Sequence, residues 1–85
     1  MSTRLQAMPT VLRSGPYRFF FFSADGSEPP HVHVERDERI AKFWLKPVRL
    51  HDSGSFSRVE IRRLEAIVHE NVEALLRSWD EFFSG

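Results

Sequence analysis

The sequence predicts an α+β domain: a small antiparallel sheet of three to four strands with one long or bent C-terminal helix, or two, packed on one face. Three observations carry this expectation. β-prone segments separated by Gly and Pro fill residues 10–45. A stretch free of both breakers runs from Arg58 to Phe83, with apolar residues at helical spacing. Between them, Asp52, Ser53 and Gly54 mark a break. A chain of 85 residues holds one hydrophobic core. Residues 1–8, without periodic pattern, read as a flexible N-terminal tail and residues 9–85 as a single α+β domain.

Thr10 to Arg13 opens with two β-branched residues and reads as a short strand ending at the Gly15-Pro16 turn. Tyr17 to Phe22 is apolar on both faces after Arg18, so it needs cover on both sides and belongs inside the sheet. Ser23 to Pro30, containing Asp25-Gly26 and Pro29-Pro30, is a loop. His31 to Arg36 alternates with period two: Val32 and Val34 point one way, His31, His33 and Glu35 the other. Ala41 to Leu45 makes the next strand. A two-residue turn at Asp37-Glu38 sets Val32 opposite Phe43 and His33 opposite Lys42, whereas a four-residue turn sets Val34 opposite Phe43. Either register leaves His31, His33, Glu35, Lys42 and Trp44 on one face.

Pro47 to Ser55 reads as a connector. Ser57 and Glu60 fit a capping box, and Ile61, Leu64, Val68, Val72, Leu75, Trp79 and Phe82 form the apolar stripe of the following helix. A continuous helix of that span would be ~39 Å long at 1.5 Å per residue. The radius of gyration of such a domain is only ~12 Å. The helix must therefore bend, split near Glu70-Asn71, or project toward another chain.

Composition excludes several classes of function. Twelve Lys and Arg balance twelve Asp and Glu, so a non-specific nucleic-acid binder is disfavoured. The imbalance between segments is mild: two excess positive charges over residues 1–54 and two excess negative over residues 55–85. The absence of cysteine excludes a disulfide scaffold, a Cys-based zinc finger and a thiol nucleophile. The longest apolar run, Phe19 to Phe22, is too short to span a bilayer, and no signal peptide opens the chain. The expected location is cytoplasmic, without membrane association.

Met8-Pro9-Thr10-Val11, Gly15-Pro16-Tyr17-Arg18-Phe19, Glu28-Pro29-Pro30-His31-Val32-His33-Val34, Ala41-Lys42-Phe43-Trp44-Leu45 and the helical segment from Phe56 to Phe83 resemble a family of small bacterial proteins, domain of unknown function 4160. The Pro-Pro-His-Val-His stretch is the most specific part. At Glu38 this sequence departs, since similar proteins often carry a turn glycine there. The resemblance implies a short prokaryotic cytoplasmic protein, often encoded beside another short protein in an arrangement that suggests a toxin–antitoxin-like pair. It brings no activity and assigns no catalytic residue.

The row His31-x-His33-x-Glu35 is the sharpest chemical feature. As an acid–base pair, His31 and His33 would be the catalytic residues of a small metal-independent ribonuclease, with Arg58 or Arg62 on the scissile phosphate. As ligands, His31, His33 and Glu35 would hold a divalent ion in a metal-binding regulatory domain; otherwise no cofactor is expected. The plainer alternative makes the histidines half-exposed sheet residues packed beside Trp44. His51-Asp52, on the connector, offers a weaker addition to a metal set, and His69 reads as a structural helix residue.

The C-terminal helix supplies the other candidates. Arg58, Arg62 and Arg63 crowd its start and Asp80 and Glu81 its end, opposing the helix dipole. Helix stability alone would not choose that layout, so these arginines are candidates for binding phosphate or a partner. The competing explanation pairs Arg62 with Glu65 and Arg63 with Glu60. Trp79, Phe82 and Phe83 would be interface anchors if the helix overshoots the sheet. The leading expectation is a protein-interaction component of a toxin–antitoxin-like pair, bound to a small protein partner or to a second copy, with RNA as a further partner class; whether the chain is also an enzyme stays open.

Overall fold

The computed structural model describes residues 9–84. They form five strands, β1 (Thr10–Ser14), β2 (Tyr17–Phe20), β3 (His31–Arg36), β4 (Arg39–Leu45) and β5 (Val48–Asp52), followed by helices α1 (Arg58–Glu70) and α2 (Val72–Ser84). The strands make one antiparallel meander in the order β1-β2-β3-β4-β5. The expected tail, residues 1–8, lies outside the described residues. No helix among the described residues is long and apolar enough to cross a membrane.

The central register is the one set by a two-residue turn: Val32 faces Phe43, His33 faces Lys42, and Arg36 closes on Arg39. Asp37 takes a left-handed conformation in that turn, with φ 59°. β2 lies between β1 and β3, and its regular pairing stops at Phe20. The expected strand to Phe22 ends early. Phe21 and Phe22 keep the alternation of sides, Phe21 edge-on against Trp79 and Phe22 against His33. The Phe22 backbone, however, is taken by the following turn, its carbonyl accepting from Asp25 N and its N–H donating to Asp25 Oδ2.

The expectation of three to four strands is corrected to five. Val48–Asp52, read as connector, pairs with β4 across the Lys46-Pro47 turn. Val48-Arg49-Leu50-His51 does alternate apolar and polar residues, but the segment is short, mostly exposed and bounded by Pro47 and the Asp52-Ser53-Gly54 break, so it resembles a connector. Its register with β4 slips between Lys42 and Phe43. Gly54 then brings the chain back over β4 at φ +55°, so close that a Cβ there would lie 1.8 Å from the Ile40 carbonyl oxygen.

Both helices cover the face that carries Val32, Val34 and Phe43. α1 lies against β5 and β4, and α2 against β1 and β4. Tyr17, Phe19, Phe21, Ala41, Leu45, Phe56, Leu64, Val68, Leu75 and Trp79 complete the core. Each fully buried Phe or Leu contributes about 1.5–3 kcal/mol. The predicted long helix splits at Asn71. The Asn71 backbone N–H reaches the carbonyls of Ile67 and Val68, and its Nδ2 donates to Ile67 O at 2.8 Å. Its own carbonyl accepts from Leu75 N, which starts α2. The fold therefore stays within a radius of gyration of 12.3 Å.

Only half of the expected capping box forms. Ser57 Oγ accepts from Glu60 N, capping α1. The Glu60 carboxylate turns instead to Arg36 and Tyr17.

Candidate functional site

Period-two alternation turns His31, His33 and Glu35 to the sheet face opposite the one that carries Val32 and Val34, beside Arg18 and Phe20 of β2 and Lys42 and Trp44 of β4, with the C-terminal end of α2 reaching His31 through Trp79. A polar cluster forms there because the chain folds back over it. After Phe22, residues Ser23–Ser27 make a single 3-10 turn, and Pro29-Pro30 lead into β3. The turn rests on α2: a Cβ at Gly26 would stand 2.7 Å from the Phe83 ring.

This return places Asp25 against both histidines. One oxygen, Asp25 Oδ2, accepts from Phe22 N at 2.9 Å, lies 3.1 Å from His33 Nε2 with hydrogen-bond geometry, and lies 3.0 Å from His31 Nε2. The last approach is close but misaligned, and the fully buried His31 Nε2 has no hydrogen-bond partner. The other nitrogen of that ring, Nδ1, is 3.0 Å from the Pro29 carbonyl, which can only accept, so Nδ1 carries the hydrogen.

Aromatic rings shield the cluster. His33 stacks on Phe20 with Phe22 edge-on, and His31 is flanked by Trp44 and by Trp79 of α2. Burial pushes the His33 imidazole below its ordinary value of 6.5, against the opposing pull of Asp25. At the rim Lys42 Nζ bonds Glu28 Oε1 at 2.7 Å and lies over the Trp44 ring. This lysine holds the Glu28 carboxyl below the usual carboxylate range.

Several residues proposed from sequence are not brought together. Glu35 stands apart from the histidine nitrogens: Arg18 engages it through Nε at 3.1 Å and Nη2 at 3.3 Å. Asp25 takes the place expected for Glu35 beside the two rings. Arg58, Arg62 and Arg63 are exposed on α1, whose layer is separated from His33 by the sheet itself. The expected pairing of Arg63 with Glu60 is replaced by Arg36 and Glu60. Trp79 is only 6% exposed and belongs to the core, because the break at Asn71 keeps α2 from overshooting the sheet. Phe83 is half-buried against Trp79, with ring centroids 4.2 Å apart. Of the three aromatic anchors, Phe82 alone is exposed. His51 is also exposed and packs edge-on against Trp44. His69, read as structural, is exposed and lies 4.0 Å from Glu65.

Asp25 is the site residue that sequence reasoning left in a loop. Its available signal was indirect: a carboxylate in the loop between Phe22 and the Pro29-Pro30 pair that leads into His31-x-His33.

A family model described as Domain of unknown function (DUF4160) matches residues 17–80. Comparison with curated proteins returns no match, and comparison with solved structures returns none.

Proposed function

The chain belongs to the DUF4160 family, and we propose that it is the protein-binding component of a toxin–antitoxin-like pair, docking a short acidic partner protein on the outer face of α1. The observation that carries this reading is the row Val59, Arg62, Arg63 and Ala66. Spacing of three and four residues puts them on one helix face, and all four are exposed. Val59 is open over 62% of its surface. Among the described residues, Arg58, Arg62 and Arg63 have no ion-pair partner. An aliphatic contact ringed by unpaired guanidinium groups suits a partner that surrounds a small apolar patch with carboxylates. β5, the outermost strand beside α1, leaves one edge open for a partner segment to extend the sheet.

Other readings draw less support. RNA would also be attracted by the arginines, but the chain has zero formal charge and Val59 offers nothing to a phosphate backbone. A ribonuclease needs both imidazoles open to substrate, whereas His31 is fully buried and the arginines lie across the sheet from His33.

Coexpression with the short acidic partner that this proposal expects to be encoded beside the chain, followed by size-exclusion chromatography with light scattering, tests the proposal. A stable heterocomplex that Val59→Asp with Arg62→Glu dissolves is the expected result. Failure of the wild type to co-elute overturns it. A homodimer that the same substitutions dissolve would assign the face to a second copy and overturn the acidic partner.

A further inference from the structure

We propose that Asp25 Oδ2, His31 Nε2 and His33 Nε2 form a binding site for a first-row divalent metal ion, with Zn2+ the natural occupant. The three atoms lie within 4.8 Å of one another, contributed by the turn after β2 and by alternate residues of β3. Two imidazoles and one carboxylate are a donor set that suits zinc and its neighbours among the transition metals.

The strongest indication is the His31 ring. With the Nδ1 hydrogen committed to the Pro29 carbonyl, a neutral His31 presents the Nε2 lone pair to a carboxylate oxygen 3.0 Å away. Two lone pairs facing each other inside a fully buried pocket are unfavourable. A hydrogen added at Nε2 does not repair the contact, since it would point wide of the oxygen. Coordination accounts for both the short distance and the misalignment. Two ligands each ~2.1 Å from one ion stand about 3.0–3.4 Å apart for angles between a right angle and the tetrahedral one, and each lies about 35–45° off the other's lone-pair axis. The geometry that spoils a hydrogen bond is the geometry that two ligands sharing an ion require.

The surroundings fit the same role. The Pro29 carbonyl fixes the His31 tautomer from the far side, as outer partners of ligating histidines do. Phe22 N holds the Asp25 carboxylate in place. On binding, His33 Nε2 exchanges its hydrogen bond to Asp25 for the ion, and the ring hydrogen moves to Nδ1, so no proton is lost. Side-chain exposures of 0% for His31, 11% for His33 and 15% for Asp25 put the site under the Ser23–Ser27 turn, with entry past Asp25.

Zn2+ titrated into the EDTA-treated full chain tests this. The wild type should bind one equivalent and gain thermal stability. His33→Phe, which keeps a ring between Phe20 and Phe22, and Asp25→Asn should each weaken binding at least about tenfold. Glu35→Gln should bind like the wild type, because Glu35 serves Arg18. Since His33→Phe also replaces a mostly buried polar group that the fold itself uses, the wild type provides a second readout. Zn2+ should shift the Nε2 resonances of His31 and His33 and leave those of His51 and His69 unmoved. Absence of binding, or binding that leaves those two rings unperturbed, overturns the assignment. So does equal loss of affinity in Glu35→Gln.

Discussion

Arg36 at the end of β3 grips Glu60 in the first turn of α1 with two parallel hydrogen bonds, Nε to Oε2 at 2.7 Å and Nη2 to Oε1 at 2.8 Å. Tyr17 adds its hydroxyl to the same carboxylate at 2.8 Å. One glutamate thus joins β2, β3 and the helix layer. The planar guanidinium matches the carboxylate in a way that lysine cannot.

This arrangement predicts a specific acid response. Hydrogen bonds from Arg36 and then Tyr17 hold the Glu60 carboxyl at about 2, below its ordinary 4.5. A depressed folded value means that the contribution to stability is full above about 4.5 and is lost as pH falls toward about 2. Urea unfolding of the wild type and Glu60→Gln should differ most near neutrality, and the difference should shrink through that window. A gap between the two proteins that stays constant from neutrality down to the acid end would show that the carboxylate charge is not what Arg36 holds.

Gly54 and Gly15 should respond differently to alanine, although both have φ near 55–58°. At Gly15 the added methyl enters open space, leaving only the left-handed backbone cost of about 1–2 kcal/mol. At Gly54 it would meet the Ile40 carbonyl at 1.8 Å, so β4 and the return loop must separate. Gly54→Ala should cost about 2–4 kcal/mol, with the excess over Gly15→Ala measured by chemical denaturation. Equal losses at the two positions would mean that the loop yields without straining β4.

Leu64 and Val59 test the two faces of α1. Leu64 is fully buried, and Leu64→Ala should cost about 2–5 kcal/mol through lost burial and the cavity left behind. Val59→Ser removes an apolar group already in water and should stay within about 0.5 kcal/mol. Thermal unfolding of both variants checks the contrast. A neutral Val59→Ser is also what partner binding requires, since loss of a complex must then come from the surface and not from the fold.

How much of this was legible in the sequence depended on whether a feature was local. The alternation of Val32 and Val34 with His31, His33 and Glu35 was enough to assign the two faces of β3, because side-chain direction in a strand is set by the backbone alone. The choice of register rested on Asp37 adopting a left-handed turn, which its side chain tolerates. Size required only that the helix bend, split near Glu70-Asn71 or project toward another chain; the split is the outcome that the fold takes. β5 escaped because it is short, mostly exposed and set between Pro47 and the Asp52-Ser53-Gly54 break, so its brief alternation of Val48 and Leu50 with Arg49 and His51 looked like connector. Asp25 escaped for a different reason. Its role exists only once the turn folds over the sheet, and periodicity carries no record of a tertiary return. Glu60 was visible as a cap residue, but its pairing with Arg36 across 24 positions was not.

Growth after induced expression of this chain alone separates the binding role from a toxic enzyme. His31 is enclosed between Trp44 and Trp79 with no exposed surface; Arg58, Arg62 and Arg63 lie beyond the sheet, and the cations on the near side, Arg18 and Lys42, are held by Glu35 and Glu28. Histidine-dependent cleavage of RNA in this geometry would require the Ser23–Ser27 turn to open and a phosphate-binding group to be found elsewhere. The expected outcome is that cells expressing the wild type and cells expressing His33→Phe grow equally, with comparable amounts of folded protein. Arrest by the wild type, relieved in a folded His33→Phe protein, would show that the imidazole acts on a substrate and would reverse the ranking of the two functions.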